Sequence, residues 1–116
     1  MEVTLEAIDL ARAAIDEIEG VKGEDIVLID LQEVTGIADY FVICNGTNER
    51  QLKAIVERIR ENIKKDHGLI PMGREGEGSS GWVLLDYGSV IIHVFSEELR
   101  HYYDLEGFWQ DAKVLL

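Results

Sequence analysis

Tyr40-Phe41-Val42-Ile43-Cys44-Asn45-Gly46-Thr47-Asn48-Glu49-Arg50-Gln51-Leu52-Lys53-Ala54-Ile55 decides the fold. Its first five residues are apolar without a break and rich in β-branched and aromatic types, the pattern of a strand buried on both faces. Asn45-Gly46-Thr47-Asn48 interrupts that run as a turn. Asn48 is a good helix cap, and Gln51 stands three residues later at capping-box spacing. Beyond it Leu52, Ile55, Val56, Ile59 and Ile63 recur at helical spacing. Lys53–Glu57 and Glu61–Lys65 are i,i+4 pairs for the outer face. The helix should end near His67-Gly68, with the single proline, Pro71, just after it. A doubly buried strand feeding an amphipathic helix requires cover on both sides of a sheet, which is an α/β architecture.

Outward from this stretch the pattern repeats. Upstream, Asp25-Ile26-Val27-Leu28-Ile29-Asp30-Leu31 reads as another buried strand. Ile8, Ala11, Ile15 and Ile18 mark a first helix that Gly20 and Gly23 stop. Downstream, residues 73–81 hold four glycines, two serines and no large apolar residue, predicting a mobile loop. Residues 82–86 and 90–95 flank Tyr87-Gly88-Ser89 as an antiparallel hairpin. Ser96-Glu97-Glu98 caps a third helix carrying Leu99, Tyr102 and Tyr103, and residues 105–112 suggest a further turn or two with Phe108 and Trp109. The expectation is a single domain over residues 1–116, with a mixed sheet of about four strands flanked by helices.

Composition narrows the function. The 116 residues are 47% apolar and 29% charged, as in a globular protein, and no apolar run is long enough to span a bilayer. The acidic start, Met1-Glu2-Val3-Thr4-Leu5-Glu6, matches neither a signal nor a transit peptide, and a single cysteine, Cys44, allows no internal disulfide. Both point to the cytoplasm. Eleven Lys and Arg against 23 Asp and Glu give a net charge of −12, which repels phosphate backbones and anionic membranes. Direct nucleic-acid binding is therefore disfavoured and a basic protein partner favoured. Residues 1–33 carry ten acids and two bases, whereas residues 49–66 carry six bases and four acids. One mildly basic helix thus sits on an acidic body.

Catalytic chemistry is hard to find. Gly73-Arg74-Glu75-Gly76-Glu77-Gly78 has no Lys-Ser/Thr pair, and its glutamates oppose a phosphate. The Gly46-Thr47 turn at a helix start suits an anion better, yet no paired carboxylates follow to hold the metal that nucleotidyl transfer needs. His67, His93 and His101 lack partners at ligand spacing, so no metal site is expected. His93 reads as a core histidine, and Cys44 as an inert buried thiol. No Gly-x-Ser-x-Gly elbow occurs. The chain is expected to be neither an enzyme nor a cofactor carrier. The aromatics say more. Trp82, Tyr87, Tyr102, Tyr103, Phe108 and Trp109 cluster in the last third beside Asp86, Asp104 and Glu106, which fits either core packing or an interface with an acidic rim.

Asp39-Tyr40-Phe41-Val42-Ile43, Gly46-Thr47 and Arg50-Gln51-x-Lys53-Ala54-Ile55 resemble the first half of the ribosomal silencing factor family, also called iojap-like. Gly81-Trp82-Val83-Leu84-Leu85-Asp86-Tyr87-Gly88, His93-Val94-Phe95 and Tyr103-Asp104-Leu105-Glu106 resemble its second half. The family usually has Ser at Asn48 and commonly Asp at Ser89. The resemblance implies a nucleotidyltransferase-like topology without catalytic carboxylates. It also implies a translational repressor that binds the large ribosomal subunit through the basic ribosomal protein numbered fourteen. Docking there would block joining of the small subunit under nutrient limitation. Homodimers are known in the family. The alternative is a nucleotide binder using the Gly46-Thr47 turn. Carried over by motif, Trp82, Asp86 and Tyr87 are the expected partner-facing residues, with Tyr102, Tyr103, Asp104 and Glu106 as second choices.

Overall fold

The apolar run at 40–44 becomes the buried middle of a sheet. A computed structural model describes residues 5–116; residues 1–4, the opening of the acidic start, lie outside the described residues. The chain runs α1 (Ala7–Gly20), β1 (Glu24–Asp30), β2 (Tyr40–Gly46), α2 (Glu49–His67), β3 (Gly73–Glu75), a 3-10 turn (Gly78–Ser80), β4 (Trp82–Asp86), β5 (Val90–Ser96), α3 (Glu97–Tyr103), α4 (Leu105–Phe108) and β6 (Lys113–Val114). The strands form one mixed sheet in the order β3-β4-β5-β2-β1-β6. All seven residues of β2 are buried, because β1 pairs with it antiparallel on one side and β5 parallel on the other. The parallel pairing aligns Tyr40 with Val90 and Ile43 with His93, and it needs the long crossover that α2 supplies.

The sheet has six strands, two more than the sequence reading expects. Both extra strands are edges of three and two residues, too short to carry a periodic signal. β6 and the residues after it clip onto β1, where the Leu115 N–H donates to the Leu28 carbonyl at 2.8 Å. The 73–81 segment is not a featureless loop. It holds β3 and then the 3-10 turn, where the Glu77 N–H donates to Ser80 Oγ at 3.1 Å. Gly76, at φ +84°, lies so close under the Trp82 carbonyl that no Cβ would fit. Gly76, Gly78 and Gly81 are therefore close-approach positions.

One face of the sheet carries α1 and α2. Leu10, Ala11, Ala14, Ile15 and Ile18 of the first helix meet Leu52, Ile55, Val56, Ile59 and Ile63 of the second over Leu28, Val42, Cys44, Val83, Leu85, Ile92 and Val94. Asn48 Oδ1 accepts from the Gln51 N–H at 2.8 Å, as its capping position predicts. Gln51 does not close the box on Asn48. Its Oε1 accepts from the Thr47 N–H at 2.6 Å and the Thr47 hydroxyl at 2.9 Å, and its Nε2 donates to the Lys22 carbonyl at 2.9 Å. The Gln51 side chain thus holds the turn that enters α2 and ties the helix to the α1–β1 connection. Gly68 ends α2 at φ +69°. Ion pairs among the described residues are Arg58–Glu17 at 3.4 Å and Arg100–Glu106 at 3.3 Å. The expected Lys53–Glu57 and Glu61–Lys65 pairs are not among them, and exposed pairs of that kind contribute little.

Candidate partner-binding surface

The opposite face of the sheet has thinner cover. Ile29, Leu31, Phe41, Ile43, Ile91 and Phe95 form its floor, with Leu99, Leu105, Trp109 and Ala112 laid over part of it. The pleat sends alternate residues of β4 to alternate sides. Trp82 and Leu84 face this second layer, whereas Val83 and Leu85 face α1 and α2. Pairing places Glu75 opposite Leu84, Leu84 opposite His93, and Trp82 opposite Phe95.

That parity separates the three hairpin residues. Tyr87 does not project into solvent. It packs in the α1/α2 core with Val83 and Leu85 and is only 9% exposed. Its hydroxyl is buried without a hydrogen-bond partner among the described residues, and burial raises its pKa. Asp86 is half-buried and engaged locally: Oδ1 accepts from the Gly88 N–H at 2.7 Å, holding the turn in which Gly88 sits at φ +86°. Only Trp82 belongs to the aromatic surface. Its indole Nε1–H donates to His93 Nδ1 at 3.2 Å, and its ring stacks on Phe95 at 5.1 Å.

The second-choice residues lie together at the end of α3. Tyr103 reaches Trp82, with ring centroids 4.7 Å apart, and meets Tyr102 edge-on at 5.1 Å. Tyr102 is 76% exposed and Tyr103 46%. Phe108, on the next helix, is 74% exposed and packs edge-on against Trp109. Asp104 caps α4: its Oδ1 accepts from the Gly107 N–H at 3.1 Å, with the backbone at φ +44°. Glu106 holds Arg100, whose Nη1 also donates to Asn45 Oδ1 at 2.7 Å and to the Asp25 carbonyl. Asp104 and Glu106 therefore position the aromatic segment, while Tyr102, Tyr103 and Phe108 display it. Between β3, β4 and α3 lies an open cleft of about 270 Å³ lined by Glu75, Trp82, Leu84, Leu99 and Tyr103. Glu75, Leu84 and Leu99 are absent from the sequence-based list. The parity of Leu84 with Trp82 was the available signal, but four consecutive apolar residues at 82–85 hid it.

His93 is a core residue, as its strand predicts. Nδ1 accepts from Trp82, so the ring proton sits on Nε2, which is buried without a partner among the described residues. Burial pushes its pKa down to about 4, and the same effect pushes the Cys44 thiol up to about 12. At the Gly46-Thr47 turn the Thr47 and Gln51 amides already serve the chain's own side chains, which leaves an anion poorly served there. Among the described residues no group of three or more His, Cys, Asp or Glu side chains is placed to hold a metal ion. No helix among them is long and apolar enough to cross a membrane.

Known proteins resemble the chain over most of its length. The model of the family described as ribosomal silencing factor during starvation matches residues 4–115. Ribosomal silencing factor RsfS of Bacillus subtilis is 37% identical over 105 residues, covering 90% of this chain and 86% of that protein. A chloroplastic Iojap protein of Arabidopsis thaliana is 33% identical over 106 residues, covering 91% of this chain and 42% of that protein. A crystal structure of a Chromobacterium violaceum protein superposes with a TM-score of 0.87 at 33% identity, covering 91% of this chain and 88% of that one. With the match running through both the buried strand–helix unit and the aromatic hairpin, the chain belongs to the ribosomal silencing factor family.

Proposed function

We propose that this protein represses translation without catalysis, by binding the large ribosomal subunit in the cytoplasm and preventing the small subunit from joining. The observation that carries this reading is the thinly covered sheet face. Trp82 is anchored there by His93 and Phe95, Tyr103 packs on it with exposed Tyr102 alongside, and exposed Phe108 and the acids Asp104 and Glu106 lie on the same α3–α4 segment. Rigid aromatics at the centre and charge at the rim are the anatomy of a protein-binding patch. A chain with a net charge of −12 finds its complement in a basic protein, and the family resemblance implies the large-subunit ribosomal protein numbered fourteen. Tyr87 leaves the set of contacts because its side chain is in the core. The test is sedimentation with isolated large subunits, followed by a reassociation assay. Excess protein should co-sediment and reduce the joined fraction. Unchanged joining at saturating protein refutes the block.

A further inference from the structure

We propose that the cleft between β3, β4 and α3 is a receptor for one basic side chain of the protein partner, an arginine or lysine. This rests on the docking reading above and adds the chemistry of its central contact. The cleft has a polarity gradient that few side chains match. Leu84 and Leu99 make an apolar floor, Trp82 and Tyr103 supply aromatic walls, and the Glu75 carboxylate stands at the β3 side. An aliphatic stem with a cationic head fits that order: the stem covers the leucines, the head lies against ring π-density, and the carboxylate neutralises it. A purely apolar side chain would leave Glu75 facing it, and an acidic one would be repelled.

The walls are fixed before anything binds. Trp82 is stacked on Phe95 and hydrogen-bonded to buried His93, so it cannot swing away without losing both. Tyr103 packs on Trp82 with the ring planes 43° apart. Their centroids are 4.7 Å apart, too close for a group to enter between them. A cation therefore rests on the cleft side of the pair. Glu75 makes no ion pair among the described residues. Its neighbour Arg74 lies on the other side of the strand, in a recess with Glu49, Lys53 and Glu77, and does not neutralise it. The glycine at 76 fixes how closely β3 approaches β4, and so the width of the cleft.

Two arms test the proposal. In the first, Glu75→Gln and Tyr103→Leu are compared with the parent chain for binding to isolated large subunits, with melting temperature as the control for folding. Each should weaken binding by about tenfold at an unchanged melting temperature, the scale of a partly desolvated cation contact. Parent-like affinity in Glu75→Gln overturns the cleft proposal and leaves the docking reading standing. In the second arm, a Trp109→Phe chain, whose remaining tryptophan is Trp82, is titrated with ethylguanidinium and with uncharged ethylurea. Saturable change in Trp82 fluorescence with the cation alone, abolished by Glu75→Gln, is the expected result. If the parent chain fails to bind large subunits, the docking reading falls and this arm decides the cleft alone. No saturable response, or an equal response to ethylurea, overturns it.

Discussion

Acid should destabilise this protein through His93 before carboxylate titration completes the unfolding. The histidine is 4% exposed, its Nδ1 holds the Trp82 indole, and its pKa is lowered from 6.5 to about 4 by burial. The folded state therefore resists protonation that the unfolded chain accepts freely. Stability from this source is complete above pH 6.5 and is lost as pH falls toward 4. A depression of this size is worth roughly 3 kcal/mol when integrated fully, of which about 2 kcal/mol is lost between pH 7 and pH 5. Against a typical domain stability of about 5–15 kcal/mol that is a large share. For a domain of this length it corresponds to roughly 8 °C in melting temperature. The carboxylates also titrate at the lower end, so the measurement is a difference. Thermal unfolding of the parent chain and of His93→Gln is followed from pH 7 to pH 5. Gln keeps an acceptor for the indole and removes the titration. The parent should lose about 2 kcal/mol more than the variant over this range. Parallel pH profiles would show that His93 is not the group that resists protonation.

Other expectations follow from the same geometry. Tyr87→Phe removes a buried hydroxyl that has no partner among the described residues and should leave the melting temperature unchanged or slightly raised, whereas Tyr87→Ala should cost about 3–5 kcal/mol in urea unfolding and leave the affinity of folded protein intact. Arg100→Met strands the nearly buried Asn45 side-chain oxygen and frees Glu106, so chemical denaturation should show a loss of about 2–3 kcal/mol. Gly76→Ala forces a Cβ into the Trp82 carbonyl, and hydrogen exchange should show β3 and the start of β4 opening faster than in the parent. Tyr102→Ala, at an exposed position, should keep the melting temperature within about 2 °C while weakening large-subunit binding severalfold.

The strand–helix unit at 40–63 was legible because burial is expressed there by composition itself: five unbroken apolar residues, a cap, then a helical stripe. The edges were not. Gly73–Glu75 becomes a strand because β4 offers it an open side, and three residues are too few to carry a periodic signal. The site was half legible. The aromatic enrichment of the last third pointed to a segment on which Tyr102 and Tyr103 are exposed. The family motif puts Tyr87 among the partner-facing residues, and a hairpin tip normally carries solvent-facing side chains. In this fold the tip lies under α2, and the odd-numbered parity of Val83 and Leu85 carries Tyr87 into the core with them. Trp82, Val83, Leu84 and Leu85 are all apolar, so composition could not say which pair faced which layer.

The two layers of cover explain why stability and display can be separated. α1 and α2 are 14 and 19 residues long, and they seal one sheet face with a continuous apolar stripe. α3 and α4 have seven and four residues, far below the length at which a helix persists in water by itself. Polar ties hold them instead: Ser96 Oγ accepts from the Leu99 N–H at 3.1 Å, Asp104 caps α4, and Arg100 bridges Glu106 to Asn45 and the β1 backbone. The Arg100 ties reach the sheet, whereas Tyr102 and Phe108 are exposed with no structural duty beyond contact with a neighbouring ring. Substitution at an anchor therefore disturbs both fold and surface, while substitution at a displayed ring disturbs the surface alone. A patch arranged in this way can change its partner contacts without endangering the core. Exposed aromatics carry no such advantage in a protein whose role ends at its own stability.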